Sequence, residues 1–203
     1  MNALLGWLSR ANDSLFLLLN APAQPDAVVL AVARFSASGL VILAALAVAA
    51  IWLFGQRPGR RAILVAGTAV ALGLAVNWTI AALWYHPRPF VLGLGHAFVA
   101  HSPETSFPSD HATFLWSLGF ALVLAPALRA FGLAVVLLGV ATAWARIYVG
   151  VHFPMDMAGS LVISLAGAAI ARGLAPVLDR RLMPLTESLH ARLTALAHIG
   201  PGR

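Results

Sequence analysis

The chain has 203 residues, of which 61% are hydrophobic and 10% charged, with a formal net charge of +6. A soluble domain carries about 25% charged residues, so this balance excludes an ordinary soluble domain and points to a membrane protein. All 13 basic residues are arginines scattered at segment ends, which favours contact with anionic lipid headgroups over nucleic acid, and the absence of cysteine excludes disulfides, thiolate catalysis and thiolate-bound zinc.

A helix that crosses a bilayer needs about 20 mostly apolar residues. Met1 to Asn20 is too polar to span and lacks the pattern of a removable signal peptide. Ser14 to Asn20 reads as a short interfacial or re-entrant helix capped by Asp13. The first predicted span is Ala27 to Phe54, with Arg34 near its start. The second is Ala62 to Tyr85, and it ends at His86-Pro87-Arg88-Pro89. Pro108-Ser109-Asp110-His111 opens the third, which runs to about Leu128 with Pro126 near its far end. The fourth is Phe131 to Val149 and the fifth Pro154 to Leu178, joined through a cluster that runs from Arg146 to Asp156. Beyond Asp179, Leu185, Leu189, Leu193 and Leu196 recur at helical spacing, with Glu187, His190 and Arg192 elsewhere on the wheel. That is the pattern of an amphipathic surface helix.

The expected fold class is therefore all-α: a polytopic membrane helix bundle of about five transmembrane helices plus an N-terminal interfacial helix, with a six-span arrangement as the alternative. The expected organisation is a single integral-membrane domain over residues 1–203, with an interfacial segment 1–25, a transmembrane core 27–178 and a cytoplasmic amphipathic tail 179–203. Arg57, Arg60, Arg61, Arg129, Arg172, Arg180, Arg181, Arg192 and Arg203 fall on one side of this layout, against Arg10, Arg34, Arg88 and Arg146 on the other. Cytoplasmic loops carry the excess of basic residues, so the three polar clusters are expected to face outward.

Ionisable groups near a bilayer are costly, and clusters of them at span edges mark function. Ser109 sits at an N-cap, with Asp110 and His111 in the first helical turn. A helix N-terminus suits a phosphate, although Ser109 and Asp110 also read as plain caps. His152 and Asp156 are four apart around Pro154, a good first residue for a helix. An aspartate so placed can fix one imidazole nitrogen and leave the other free to attack phosphorus. Arg88, between Pro87 and Pro89, and Arg146 offer planar forks for phosphate oxygens. His96 and His101 either line the entrance or are plain solvated loop residues, and Glu104 either helps to bind substrate or turns the chain; the plainer reading is preferred for each. The histidines form no zinc-protease spacing.

Arg-Pro at 88–89, Pro-Ser-x-His at 108–111 and Arg-x5-His-x3-Asp from Arg146 to Asp156, in that order and each at a span edge, resemble the type-2 phosphatidic acid phosphatase superfamily. That group includes integral-membrane lipid phosphatases, bacterial acid phosphatases and vanadium haloperoxidases. The forms His-Pro-Arg-Pro-Phe ending at Phe90, and Ser106 to Thr113, are similar to its bacitracin-resistance branch, the undecaprenyl-diphosphate phosphatases. The resemblance implies a phosphohistidine on His152, with Asp156 orienting it and His111 as general acid and then base. It further implies Arg88, Arg146 and Ser109 on the phosphate oxygens, no metal or other cofactor, a polyprenyl diphosphate lipid as substrate, and a site on the outer face of a bacterial inner membrane. Pro89, Asp110, Asn77 and His86 complete the expected substrate-binding set.

Three positions depart from the family pattern: Ala81 where lysine is usual, Asp110 where glycine is usual and Ala145 where serine is usual. Losing the lysine removes a cation and Asp110 adds an anion, which means either weaker binding or a pocket rebuilt for a diphosphate. Asn77 shares a helix face with Ala81, and with Arg88 too if the helix persists that far; an interhelical hydrogen bond is its plainer role. His86 is a second candidate for the missing cation's place. Two other readings stand beside the main one. Another lipid phosphatase or phosphotransferase of the superfamily would act on phosphatidylglycerol phosphate, phosphatidate or a lipid A phosphate. A catalytically inactive binding or transport protein is motivated by the missing lysine.

Overall fold

The computed structural model describes residues 2–198, with side chains for 6–195. Arg203, and the side chains of Leu196 and His198 in the expected tail, lie outside the described residues. The described chain forms seven α-helices: α1 (Asn2–Leu19), α2 (Ala27–Phe54), α3 (Arg57–Leu83), α4 (Asp110–Val123), α5 (Arg129–Tyr148), α6 (Pro154–Arg181) and α7 (Met183–His198). Short 3₁₀ turns occupy Pro89–Leu92 and Pro126–Leu128.

Four helical stretches are long and apolar enough to cross a membrane: Ala27–Phe54, Arg57–Leu83, Pro126–Tyr148 and Pro154–Arg181. The third expected span behaves differently. α4 has 14 residues, about 21 Å at 1.5 Å per residue, which is short of the ~30 Å hydrocarbon layer. It is the central helix, packed against α3, α5 and α6. The apolar run that suggested a span ends in the turn at Pro126. Around α4 the core is built from small and branched residues, including Ala66, Ala69, Leu115, Leu122, Val135 and Ala171. Gly139 of α5 lies under the Trp116 indole, where a Cβ would come within 2.5 Å of the ring. Polar side chains join the helices inside this core: Ser117 Oγ donates to Ser164 Oγ at 3.1 Å, and Ser164 Oγ to the Thr113 carbonyl at 3.2 Å. Leu46, Leu137 and Val162 face outward, each more than 60% exposed, as lipid-facing residues do. The chain is a multi-pass membrane protein.

Element ends follow local chemistry. Asp26 caps α2, accepting from the amides of Val28 and Val29 at 2.9 and 3.0 Å. α3 begins at Arg57, ahead of the expected Ala62, because Pro58 suits a first turn. It stops at Leu83, where Trp84 turns extended, so Arg88 leaves the helix and shares no face with Asn77 and Ala81. α1 is continuous through Asp13, which is interior and not a cap. It docks through Phe16, fully buried with its ring 5.3 Å from Phe153, and through the Asn20 amide, which donates to the carbonyls of His96 and Tyr148 at 2.9 and 3.0 Å. α6 continues to Arg181. α7 folds back on the α2–α3 turn: Arg60 pairs with Glu187 at 2.8 Å, and His190 Nε2 lies 2.9 Å from the Leu53 carbonyl. Leu185, Leu189 and Leu193 remain exposed along it.

This up-and-down order carries the three polar clusters to one end of the bundle. The α2–α3 turn, the Pro126 turn and the end of α6 lie at the other.

Candidate active site

His152 lies in the tight link between α5 and α6. Gly150 turns that link with φ of 85°, and a Cβ there would run into the His96 carbonyl oxygen, so glycine serves both the positive φ and the close approach. Asp156 is the third residue of α6, and its Oδ2 reaches back to the Phe153 amide at 2.8 Å. The same oxygen lies 3.1 Å from His152 Nδ1 and accepts from Ser106 Oγ. A carboxylate only accepts, so Nδ1 carries the hydrogen and Nε2 presents its lone pair.

Two arginines meet that lone pair. Arg88 Nη1 and Arg146 Nη2 each lie 3.1 Å from His152 Nε2. Arg88 is held by loop carbonyls: Val151 at 2.8 Å, Thr105 at 3.0 Å and Glu104 at 3.2 Å. Arg146, in the last turn of α5, donates to the Ala37 carbonyl of α2 at 3.1 Å and lies 3.2 Å from His101 Nε2. Both guanidiniums are at least 95% buried, so their directions are fixed before any ligand arrives.

Burial, reinforced by Arg146 and Arg88 and only partly offset by Asp156, pushes the His152 imidazole down to about 3. It is neutral above that pH and so keeps a nucleophilic nitrogen. Burial and the two arginines also push His101 down. Between the ordinary value of about 6.5 and the folded value near 3, the unfolded chain binds a proton that the folded chain refuses, so His152 erodes stability as pH falls through that window. An ¹⁵N NMR titration of the ring is expected to show neutral His152 at pH 5. A charged His152 ring at pH 6 would contradict this geometry.

The polar wall opens on a cavity of about 540 Å³ lined by Arg88, Arg146, His152, His111, Asp110, Asn77 and Ala81, with Tyr85, His101, Glu104 and Phe107 from the loop side. Asn77 Nδ2 donates to Asp110 Oδ1 at 2.8 Å and to Thr113 Oγ1 at 3.1 Å. It is both an interhelical hydrogen bond and part of the wall. The first turn of α4 ends at this cavity, with its unpaired amides and positive dipole end. An anionic phosphoryl group placed there meets two guanidiniums, a neutral imidazole and a helix N-terminus.

Three residues expected to bind substrate do not line the cavity. Ser109 is fully buried, its hydroxyl accepting from the Ala112 amide at 3.5 Å and its amide donating to Ser160 Oγ at 2.9 Å; it shapes the helix end that faces the ligand. Pro89 is buried as the first residue of its 3₁₀ turn. His86 lies on the Oδ1 side of Asp156, with Nδ1 4.0 Å from that oxygen. In the other direction, His101 is no solvated bystander and Glu104 does more than turn the chain. Ser106 is a contact that the sequence reading assigned no role. Its signal is its place at the head of the Ser106 to Thr113 stretch that resembles the bacitracin-resistance branch.

With this geometry in hand, the chain matches the PAP2 superfamily over residues 61–178. It is 33% identical to the putative undecaprenyl-diphosphatase YbjG of Escherichia coli over 189 residues, 93% of this chain and 95% of the relative. It is 33% identical to the undecaprenyl-diphosphatase BcrC of Bacillus subtilis over 154 residues, 76% of this chain and 79% of the relative. Among solved structures, Aquifex aeolicus LpxE shares the fold at a TM-score of 0.62 and 19% identity, covering 80% of this chain and 95% of that one.

Proposed function

The chain belongs to the PAP2 superfamily, and on that premise we propose that it hydrolyses undecaprenyl diphosphate to undecaprenyl phosphate and inorganic phosphate through a phosphohistidine. One observation carries the chemistry: His152 Nε2 stands between two guanidiniums at 3.1 Å each while its Nδ1 is held by Asp156. The substrate class is supported by the names of the two relatives at 33% identity.

Nε2 attacks the terminal phosphorus in line, the bond from phosphorus to the bridging oxygen breaks, and the departing lipid monophosphate takes a proton from His111, which burial and Arg146 push down to about 4 in the free enzyme and which takes that proton up as the anionic substrate settles against it. The Arg88 and Arg146 N–H groups that point at Nε2 donate instead to the equatorial oxygens of the entering phosphoryl group, where charge spreads in the transition state. Asp156 holds the Nδ1 hydrogen as the ring takes on positive character. His111 then removes a proton from water, the water oxygen attacks phosphorus, the P–N bond breaks and phosphate leaves. Ala81 lines the cavity where the family lysine would reach in, and the room it leaves can take the second phosphate of a diphosphate. The Asn77 amide donates to Asp110 Oδ1 at 2.8 Å, and its dipole offsets part of the carboxylate's field at the ligand.

A smaller apolar pocket of about 190 Å³, lined by Val41, Leu74, Trp78 and Phe114, touches Asp110 and His111 and shares Trp78 with the main cavity. It lies among α2, α3 and α4, and it offers the prenyl chain a path from the bilayer to the headgroup site. The excess of arginines at the other end of the bundle supports a bacterial inner-membrane location with the cavity facing outward. In that layout residues 1–203 are one integral-membrane domain and the tail from residue 179 is cytoplasmic.

The test is phosphate release by the purified chain, in EDTA and without an acceptor lipid, from four substrates side by side. These are undecaprenyl diphosphate, phosphatidylglycerol phosphate, phosphatidate and a lipid A phosphate. Undecaprenyl diphosphate is expected to lead by at least about tenfold in kcat/KM. Preference for another lipid, or no release without an acceptor, would overturn the assignment.

A further inference from the structure

Asp156 is fully buried, and its two oxygens are used unequally. Oδ2 serves His152, Ser106 and the Phe153 amide. Oδ1 has no hydrogen-bond partner among the described residues. Buried carboxylate oxygens are costly to leave bare. Nδ1 of His86, also buried and without a partner, lies 4.0 Å from it.

The His86 ring is well placed to close that gap. It rests against Phe153 and Trp84, with centroids 5.7 and 5.2 Å away. Phe153 is the residue next to the nucleophile. The His86 amide donates to Thr105 Oγ1 at 3.0 Å, and its carbonyl accepts from the Ser106 amide at 2.7 Å. Two paired backbone segments therefore deliver Ser106 and His86 to the same carboxylate. A shift of about 1 Å brings Nδ1 into hydrogen-bond range of Oδ1.

We propose that His86 is a positioning residue that donates its Nδ1 hydrogen to Asp156 Oδ1 in the working enzyme, so that the carboxylate is clamped between two imidazoles. The proposal rests on the phosphatase reading above. Rotation about the Cβ–Cγ bond moves both oxygens together, and only the contacts at Oδ2 oppose it. A second tether fixes its plane and keeps Oδ2 on His152 Nδ1 while Nε2 gains and loses the phosphoryl group. His86 thus acts through Asp156 and never touches the substrate, consistent with its absence from the cavity wall.

Three full-length variants in detergent, assayed on undecaprenyl diphosphate, decide the matter. His86→Asn places an amide nitrogen near the Nδ1 position. His86→Gln moves it to the Nε2 position. His86→Phe keeps the ring packing and removes the donor. The Gln and Phe variants are expected to lose about tenfold in kcat with KM little changed, and the Asn variant to recover most of it. The His152 Nδ1 proton resonance should shift in the Gln and Phe variants and stay in place in the Asn variant. The Gln–Asn comparison stands even if the Phe variant does not fold. Equal kcat in Gln and Asn variants with an unmoved resonance would overturn the proposal, as would a rise in KM at constant kcat. A wild-type chain inactive on this lipid would overturn the proposed function instead, and the resonance would still decide the role of His86.

Discussion

Replacing His152 with alanine is expected to lower phosphate release from undecaprenyl diphosphate by at least about 10⁴-fold, the scale set by removing a covalent nucleophile. The fold should survive the change, because each partner of the ring keeps other contacts. Asp156 retains the Phe153 amide and Ser106. Arg88 retains the carbonyls of Val151 and Thr105, and Arg146 that of Ala37. Removing an imidazole that resists protonation also lifts the acid penalty it places on the folded state. Steady-state phosphate release, read beside circular dichroism and size-exclusion profiles, checks both halves. Turnover within tenfold of wild type in a folded variant would contradict the nucleophile assignment.

Arg146→Lys should cost nearly as much despite keeping the charge, about 10³-fold in kcat/KM. One guanidinium here reaches the Ala37 carbonyl, His101 Nε2 and His152 Nε2. An ammonium on a flexible stem cannot hold those three directions at once. Loss of one fixed donor to transition-state charge costs about 10²–10³-fold. The remainder comes from losing the anchor on α2 that aims the group. The check is kcat/KM for the variant against wild type. A loss smaller than tenfold would show that position 146 contributes charge alone.

The parts of this protein that were legible in its sequence are those where a single residue type is required. α2 keeps its expected bounds because the run from Ala27 to Phe54 is apolar apart from its first turns, and α6 starts at Pro154 as its first-turn proline dictates. The third apolar run was harder, because hydrophobicity does not separate a helix that faces lipid from one that faces other helices. α4 is of the second kind, and its shortness appears only once α3, α5 and α6 surround it. α1 was underestimated because its polar residues argue against a span, while its docking through Phe16 and Asn20 is tertiary.

The site divides the same way. Arg88, Arg146, His111, His152 and Asp156 have side chains that phosphate chemistry demands, and four of them line one cavity with Asp156 behind His152. What aims the arginines is a set of backbone carbonyls at Ala37, Glu104, Thr105 and Val151. Any residue offers a carbonyl, so no motif records them. The sequence offers His86 as a stand-in for the cation missing at Ala81. Its ring instead rests on Phe153 and Trp84, beside the idle oxygen of Asp156.

The most direct measurement is chemical trapping. Undecaprenyl diphosphate labelled in its terminal phosphate is mixed with the full chain, quenched in alkali during turnover, and the peptides are mapped. Transfer through His152 predicts an alkali-stable, acid-labile label on the peptide that contains His152, absent from the alanine variant. Label on any other residue, or turnover with no labelled peptide at any quench time, would contradict it.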